Sequence, residues 1–289
     1  MRMNGQKILF HAGMEYSLWL SNPRMSILLV LLTLIHVMVI RPLAEAGSQI
    51  GEGFHLLEPM AALCNSTLIL LILPIGFLIL IADYPRLNQG FLLQIYRVGR
   101  LNWVLGELLH LCMAAVTYLA AVLLGTFLLS LPYMPVTSPG WSTIATEYME
   151  IMGDSALKSI AGLLPRNLYQ QMPPSVAVIR SYILLLFYLV FIGSILLATG
   201  LLRVKFLGIA INSGLLLTGA GFVILNSPWM WGFPCAHALV WIHYTPYFRT
   251  PVCPLWASWC YFGLGTALMA FLACIIANQR SFDYMLEFD

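Results

Sequence analysis

Glu107 and His110 stand three residues apart inside a long apolar run, a spacing that puts a carboxyl and an imidazole on one helix face. Such a pair could relay a proton, and an ionisable side chain inside a membrane segment is a functional candidate by default. The plainer role is an ion pair near the interface, Glu107 with Arg100 or Arg97, because the uninterrupted apolar run begins only at Leu108. That plainer role is the expectation. His36, alone in an earlier apolar run, is expected to make an interhelical hydrogen bond rather than to transfer protons.

A second group is Cys235-Ala236-His237 with His243 and Cys253. The two cysteines are either packing thiols or a disulfide formed in an oxidising exterior. No ligand pair has structural-zinc spacing, so no metal is expected. Asn212 and Ser213, with Gly214, Thr218, Gly219 and Gly221, give one later run a small, polar face. That face suits close packing between subunits or the wall of a pathway. Gly153 to Ser159 imitates a phosphate loop, but Leu157 stands where the second glycine belongs and no strand precedes it.

The elements that must position these residues are membrane helices. Of 289 residues, 60% are hydrophobic and 9% charged, where soluble domains carry about 25% charged residues. A bilayer solvates apolar side chains directly, and backbone groups inside it must pair within each segment, which means helices. Apolar runs at Met25–Leu43, Met60–Ala82, Trp103–Leu131, Val176–Leu202, Phe206–Leu225 and Trp256–Ala277 predict an all-α polytopic fold of about six transmembrane helices. The first run reads as a retained anchor, since more than a signal peptide's n-region precedes it. A net charge of +2 gives no reason to expect nucleic acid.

Lys and Arg set the orientation. Arg2, Lys7 and Arg24, then Arg86, Arg97 and Arg100, then Arg203 and Lys205, then Arg280 fall on one side; Arg41, Lys158, Arg166, Arg180 and Arg249 fall on the other. Both termini are therefore expected in the cytoplasm. The chain reads as one membrane domain over residues 1–289, with four non-spanning parts. Residues 1–22 suit an interfacial helix, with Lys7, His11 and Glu15 on a face away from Ile8, Leu9, Ala12, Tyr16 and Trp19. Residues 83–103 form a cytoplasmic connection, and 132–175 an outer loop with an amphipathic stretch near Thr143 to Leu164. Residues 227–254, broken by Gly232 and Pro234, suit an outer re-entrant hairpin whose aromatics, Tyr247 and Phe248 among them, sit at headgroup level.

The cytoplasmic connection reads Asp83-Tyr84-Pro85-Arg86, then a short helical stretch, then Tyr96-Arg97-Val98-Gly99-Arg100-Leu101-Asn102-Trp103. By composition alone it is a positive-inside loop that anchors topology. The order of parts, however, resembles the permease subunits of ABC transporters of the type-2 exporter family: a stretch ending at Ser21-Asn22-Pro23, the Asp83-to-Trp103 segment, and the broken run Ser227 to Pro254. Leu57-Glu58-Pro59 before Asn65-Ser66, with Asp83-Tyr84-Pro85-Arg86 and Arg97-Val98-Gly99-Arg100 after, is similar to uncharacterised bacterial members of that family.

The resemblance implies a plasma-membrane protein without a nucleotide site, whose coupling segment (Asp83, Tyr84, Pro85, Arg86, Tyr96, Arg97, Arg100, Trp103) is pushed by a cytoplasmic ABC ATPase. It implies ATP and magnesium in that partner, a second permease, surrounding membrane lipids, and export of a hydrophobic or amphipathic substrate such as a lipid, peptide or drug. Two other classes remain. An enzyme needs its acids, bases or ligands at one depth, and Glu107 and His110 are expected on the opposite side from Cys235, His237 and His243. A secondary carrier shows repeated halves with matching broken helices, and only one broken stretch is expected here; an accessory or assembly subunit without ATP coupling stays open.

Overall fold

A computed structural model describes residues 3–87, 89–133, 139–153, 158–202, 204–245 and 251–279. Arg2, Asp154 to Leu157, Arg203, Tyr247, Phe248, Arg249 and Arg280 therefore lie outside the described residues. The fold is all-helical, 82% helix, with no strand among the described residues. Five helices are long and apolar enough to cross a membrane: Pro23–Ile50, Arg100–Tyr133, Pro174–Leu201, Phe206–Ile224 and Leu255–Gln279.

Helix α1, Gly5–Leu20, starts at an Asn4 cap whose side chain accepts from the Gln6 and Lys7 amides. It ends before Asn22-Pro23, where α2, Ile27–Ile35, takes over through one 3-10 turn. A π turn, His36–Ile40, joins α2 to α3, Arg41–Ile50. The Arg41 amide reaches back to the His36 carbonyl. Pro42 follows and brings no N–H to the ladder, so the helix widens there instead of continuing in α-register.

The expected span Met60–Ala82 is not one helix. It is α4, Glu58–Asn65, α5, Thr67–Leu70, and α6, Ile72–Leu80. Ser66 is extended, with φ −75° and ψ 123°. Beside it, the Asn65 amide donates to the Ala61 carbonyl at 2.9 Å and to Ser181 Oγ at 2.8 Å. The second break, at Leu71, sits where Pro74 would clash with the Leu70 carbonyl and offers it no N–H.

Helix α7, Gln89–Val98, meets α8, Arg100–Ser130, at Gly99. Gly99 has φ 89°, a backbone state that a side chain strongly disfavours. The expected amphipathic stretch in the loop that follows is three short helices, α9, Thr143–Thr146, α10, Tyr148–Met152, and α11, Lys158–Leu163, with α12, Arg166–Tyr169, after them. Glu58 pins this loop to the bundle, accepting from the Ser142 amide (2.7 Å), Ser142 Oγ (2.9 Å) and the His55 amide (2.9 Å).

Helix α13, Pro174–Leu201, is the axis of the bundle: 83% of its apolar stretch is buried, against 17% to 39% in the other four. Around it pack α4, α8, α14, Lys205–Ile224, α15, Pro234–Ala238, and α16, Leu255–Gln279. The Ser227–Pro254 stretch comprises a 3-10 turn, α15, a second 3-10 turn and a lone bridge between Tyr244 and Pro251. Residues Pro234 to Val240 are all buried.

Two contacts fix the ends. Pro85 packs on Gly200, and the Arg180 guanidinium donates to the Tyr244 hydroxyl at 2.9 Å. Twenty helical residues span about 30 Å, so the Asp83–Trp103 connection and the Ser227–Pro254 stretch occupy opposite ends of α13.

Candidate functional site

The Asp83–Trp103 connection is held at its edges and exposes one face of α7. Asp83 takes a two-point ion pair from Arg24, at 2.8 and 3.1 Å. Tyr84 is buried, its ring 5.9 Å from that of His110. Arg86 donates to the Leu18 carbonyl at 3.4 Å, and Arg100 donates to the Asn278 carbonyl at 2.7 Å, tying the start of α8 to the end of α16. Ile95 and Val98 are buried beneath α7. On its other face Leu93 is 75% exposed and Tyr96 80% exposed, with Arg97 exposed beside them.

Behind this connection α1 lies along the first half of α8, both running the same way. The Asn4 amide donates to Asn102 Oδ1 (3.0 Å), His11 Nε2 stands 3.0 Å from Glu107 Oε1, and Tyr16 and Thr117 hydroxyls are 2.7 Å apart. Lys7 Nζ donates to the Arg97 carbonyl at 2.9 Å, so α1 also grips the end of α7. Glu107 thus pairs with His11 and not, as expected, with Arg100 or Arg97: Arg97 is exposed on α7, Arg100 reaches the Asn278 carbonyl, and α1 brings a closer partner. The face of α1 expected in water is turned inward in part: His11 and Glu15 are buried while Lys7 is exposed, and on the apolar face Ala12 and Trp19 are buried while Leu9 is exposed. Trp103 stacks near His11, with ring centroids 5.9 Å apart. His110 is buried with Trp19 and Tyr84 against its ring.

At the far end of α13, sequence reasoning missed Ser258, the one serine of α16. It is fully buried between two imidazoles, 2.8 Å from His237 Nδ1 and 3.3 Å from His243 Nε2. His237 Nε2 faces the Trp231 carbonyl (2.9 Å) and His243 Nδ1 the Cys253 carbonyl (2.8 Å). Carbonyls only accept, so each imidazole spends its proton there and turns a lone pair to Ser258. The hydroxyl has one proton for two lone pairs, and the shorter contact shows that His237 takes it. Burial holds both imidazoles below their usual protonation range.

The Cys235–Cys253 disulfide is not formed. Both are free thiols: Cys235 is buried against Gly219, and Cys253 Sγ faces the Pro254 carbonyl. His36 makes the expected interhelical contact only weakly, 3.4 Å to the Tyr133 hydroxyl. Asn212 turns inward, its amide on the Ile192 carbonyl at 3.0 Å, while Ser213 is half-buried and Gly214 and Thr218 face outward. The polar face expected on this helix is therefore divided between the bundle and its outside. The His110 and His237 clusters stand at opposite ends of α13 and share no site. Comparison with models of known families, with curated proteins and with solved structures found no match.

Proposed function

We propose that this chain is the membrane-spanning permease subunit of an ATP-driven ABC exporter. One observation carries the reading. Helix α7 is fastened by buried residues on one side and presents Leu93, Tyr96 and Arg97 to solvent on the other. An exposed aromatic beside an aliphatic and a guanidinium is the composition of an interface anchor. The helix also sits where a push travels into the bundle: Lys7 holds the Arg97 carbonyl, and α8 begins two residues beyond α7.

In this reading a cytoplasmic ATPase, carrying ATP and magnesium, receives α7 in a groove. Its closure tilts α8 and α1 together and opens a pathway at the contact with a second permease for a lipid-like or amphipathic substrate. Residues 60–82 make the remaining crossing, 227–254 enter the membrane without spanning it, and both termini face the cytoplasm of a plasma membrane. The chain itself hydrolyses nothing.

The test is affinity purification of the full chain in mild detergent, with identification of co-purifying chains. A phosphate-loop ATPase is expected at a fixed ratio with the unmodified chain. Tyr96→Ala with Leu93→Ala is expected to weaken its retention by tenfold or more, as loss of a central aromatic anchor does. Recovery of the folded chain with no ATPase, or equal retention by the double variant, overturns the reading.

A further inference from the structure

The seam between α1 and α8 holds more than helix packing requires. His11 and Glu15 lie one turn apart on α1, and Glu107 and His110 lie three apart on α8, so each helix turns an imidazole and a carboxylate toward the seam. Their exposures are 1%, 6%, 2% and 4% in chain order along the two helices. Donor atoms of His11, Glu15 and Glu107 all lie within 4.8 Å of one another.

The Glu15 carboxylate has no hydrogen-bond or ion-pair partner among the described residues, although it is nine-tenths buried and aimed into this cluster. Two buried carboxylates so close need positive charge between them. A single charge at His11 would offset only one of the two carboxylates. Of the neighbouring cations, Arg24 is engaged on Asp83 and Lys7 on the Arg97 carbonyl; Arg86, which donates to the Leu18 carbonyl, borders the cavity beside Glu15 but makes no ion pair with either carboxylate.

We propose that His11, Glu15 and Glu107 form a binding site for one divalent transition-metal ion of the zinc class. One imidazole with two carboxylates suits a first-row ion, whereas calcium and magnesium favour all-oxygen sets. Zinc holds such donors at about 2.0–2.2 Å, which sets tetrahedral ligand atoms roughly 3.3 Å apart. The His11–Glu107 edge, 3.0 Å, is already near that length, and Glu15 closes the rest by a side-chain adjustment. Glu15 also borders a cavity of about 10 Å³ shared with Trp19, Tyr84, Arg86 and His110, room for one water as a fourth ligand. The Nδ1 of His110 is buried there without a partner and can hold that water. Gly106 makes the site possible by letting His11 reach the seam. The site needs no ATPase partner; its ion would rivet α1 to α8 just behind α7.

The full chain, purified in detergent and stripped with chelator, is titrated with zinc and with cobalt, reading bound metal by mass spectrometry and cobalt by its visible absorption. One equivalent per chain is expected at micromolar free metal. Glu15→Gln and Glu107→Gln are each expected to weaken binding more than tenfold. A wild-type chain that binds no stoichiometric metal overturns the site, and means the carboxylates share a proton instead. Binding that persists unchanged in Glu15→Gln also overturns it, because the ion then sits on other histidines. Should Glu107→Gln fail to fold, the wild-type stoichiometry and Glu15→Gln decide.

Discussion

His11 lies directly against Gly106: a Cβ at that glycine would stand 2.6 Å from His11 Cδ2 and 3.3 Å from its Cβ. The ring cannot swing aside without leaving Glu107. Alanine ordinarily stabilises a helix interior by about 1 kcal/mol over glycine, so the sign of Gly106→Ala is a contest between propensity and clash. The clash wins here, and Gly106→Ala is expected to cost about 1–3 kcal/mol. Thermal unfolding in detergent checks it, with faster tryptic cleavage at Lys7 as the sign that α1 has lifted.

Asn65 and Ser181 meet where the second apolar run breaks, and both are fully buried. Ser181→Ala removes one of the two acceptors of the Asn65 amide and leaves the Ala61 carbonyl. The expected loss is about 0.5–1.5 kcal/mol. Ser181→Val, which adds bulk to the same spot, is expected to lose more in the same melting experiment.

All six cysteines are free. Alkylation of the denatured chain without reductant should therefore add six groups by intact mass. Four groups would mean that a bridge exists.

Ser258 lies between His237 and His243, and removing it strands the lone pair of His237. Ser258→Ala is expected to cost about 1–3 kcal/mol. The same cluster sets a pH dependence. In the unfolded chain each imidazole protonates near its ordinary value of 6.5, while in the folded chain burial keeps both neutral to lower pH. The unfolded state thus binds more protons below that value. Stability contributed by the pair is full above it and drains as pH falls toward the depressed folded values. Melting temperature followed from roughly pH 8 to about pH 5 should fall, and the fall should flatten in His237→Gln with His243→Gln.

The long helices were legible because hydropathy over a span's length is a strong signal, and five of the six expected runs are continuous helices. The sixth deceived the same measure. One proline, Pro74, among Leu, Ile and Phe barely lowers a window average, yet it breaks the ladder at Leu71, and a hydropathy window does not weigh a missing N–H. The partner of Glu107 was hidden for another reason. Arg100 and Arg97 are neighbours in sequence, while His11 is 96 positions away. The polar stripe of α1 was visible, but a stripe meant for water and a stripe meant for another polar helix have one pattern. The sequence left Cys235 and Cys253 open between packing thiols and a disulfide; Cys235 packs against Gly219. Ser258 gave no signal, since one serine in an apolar helix is commonplace.

The parallel seam between α1 and α8 has a consequence for biogenesis. Helix α1 leaves the ribosome before α8, and Glu107 follows His11 by 96 residues, a wait of roughly 5–20 s at ordinary elongation rates. Through that interval His11 and Glu15 lack the α8 side chains they face in the folded chain. The arrival of α8, the second long helix, is then the moment at which α1 can join the bundle.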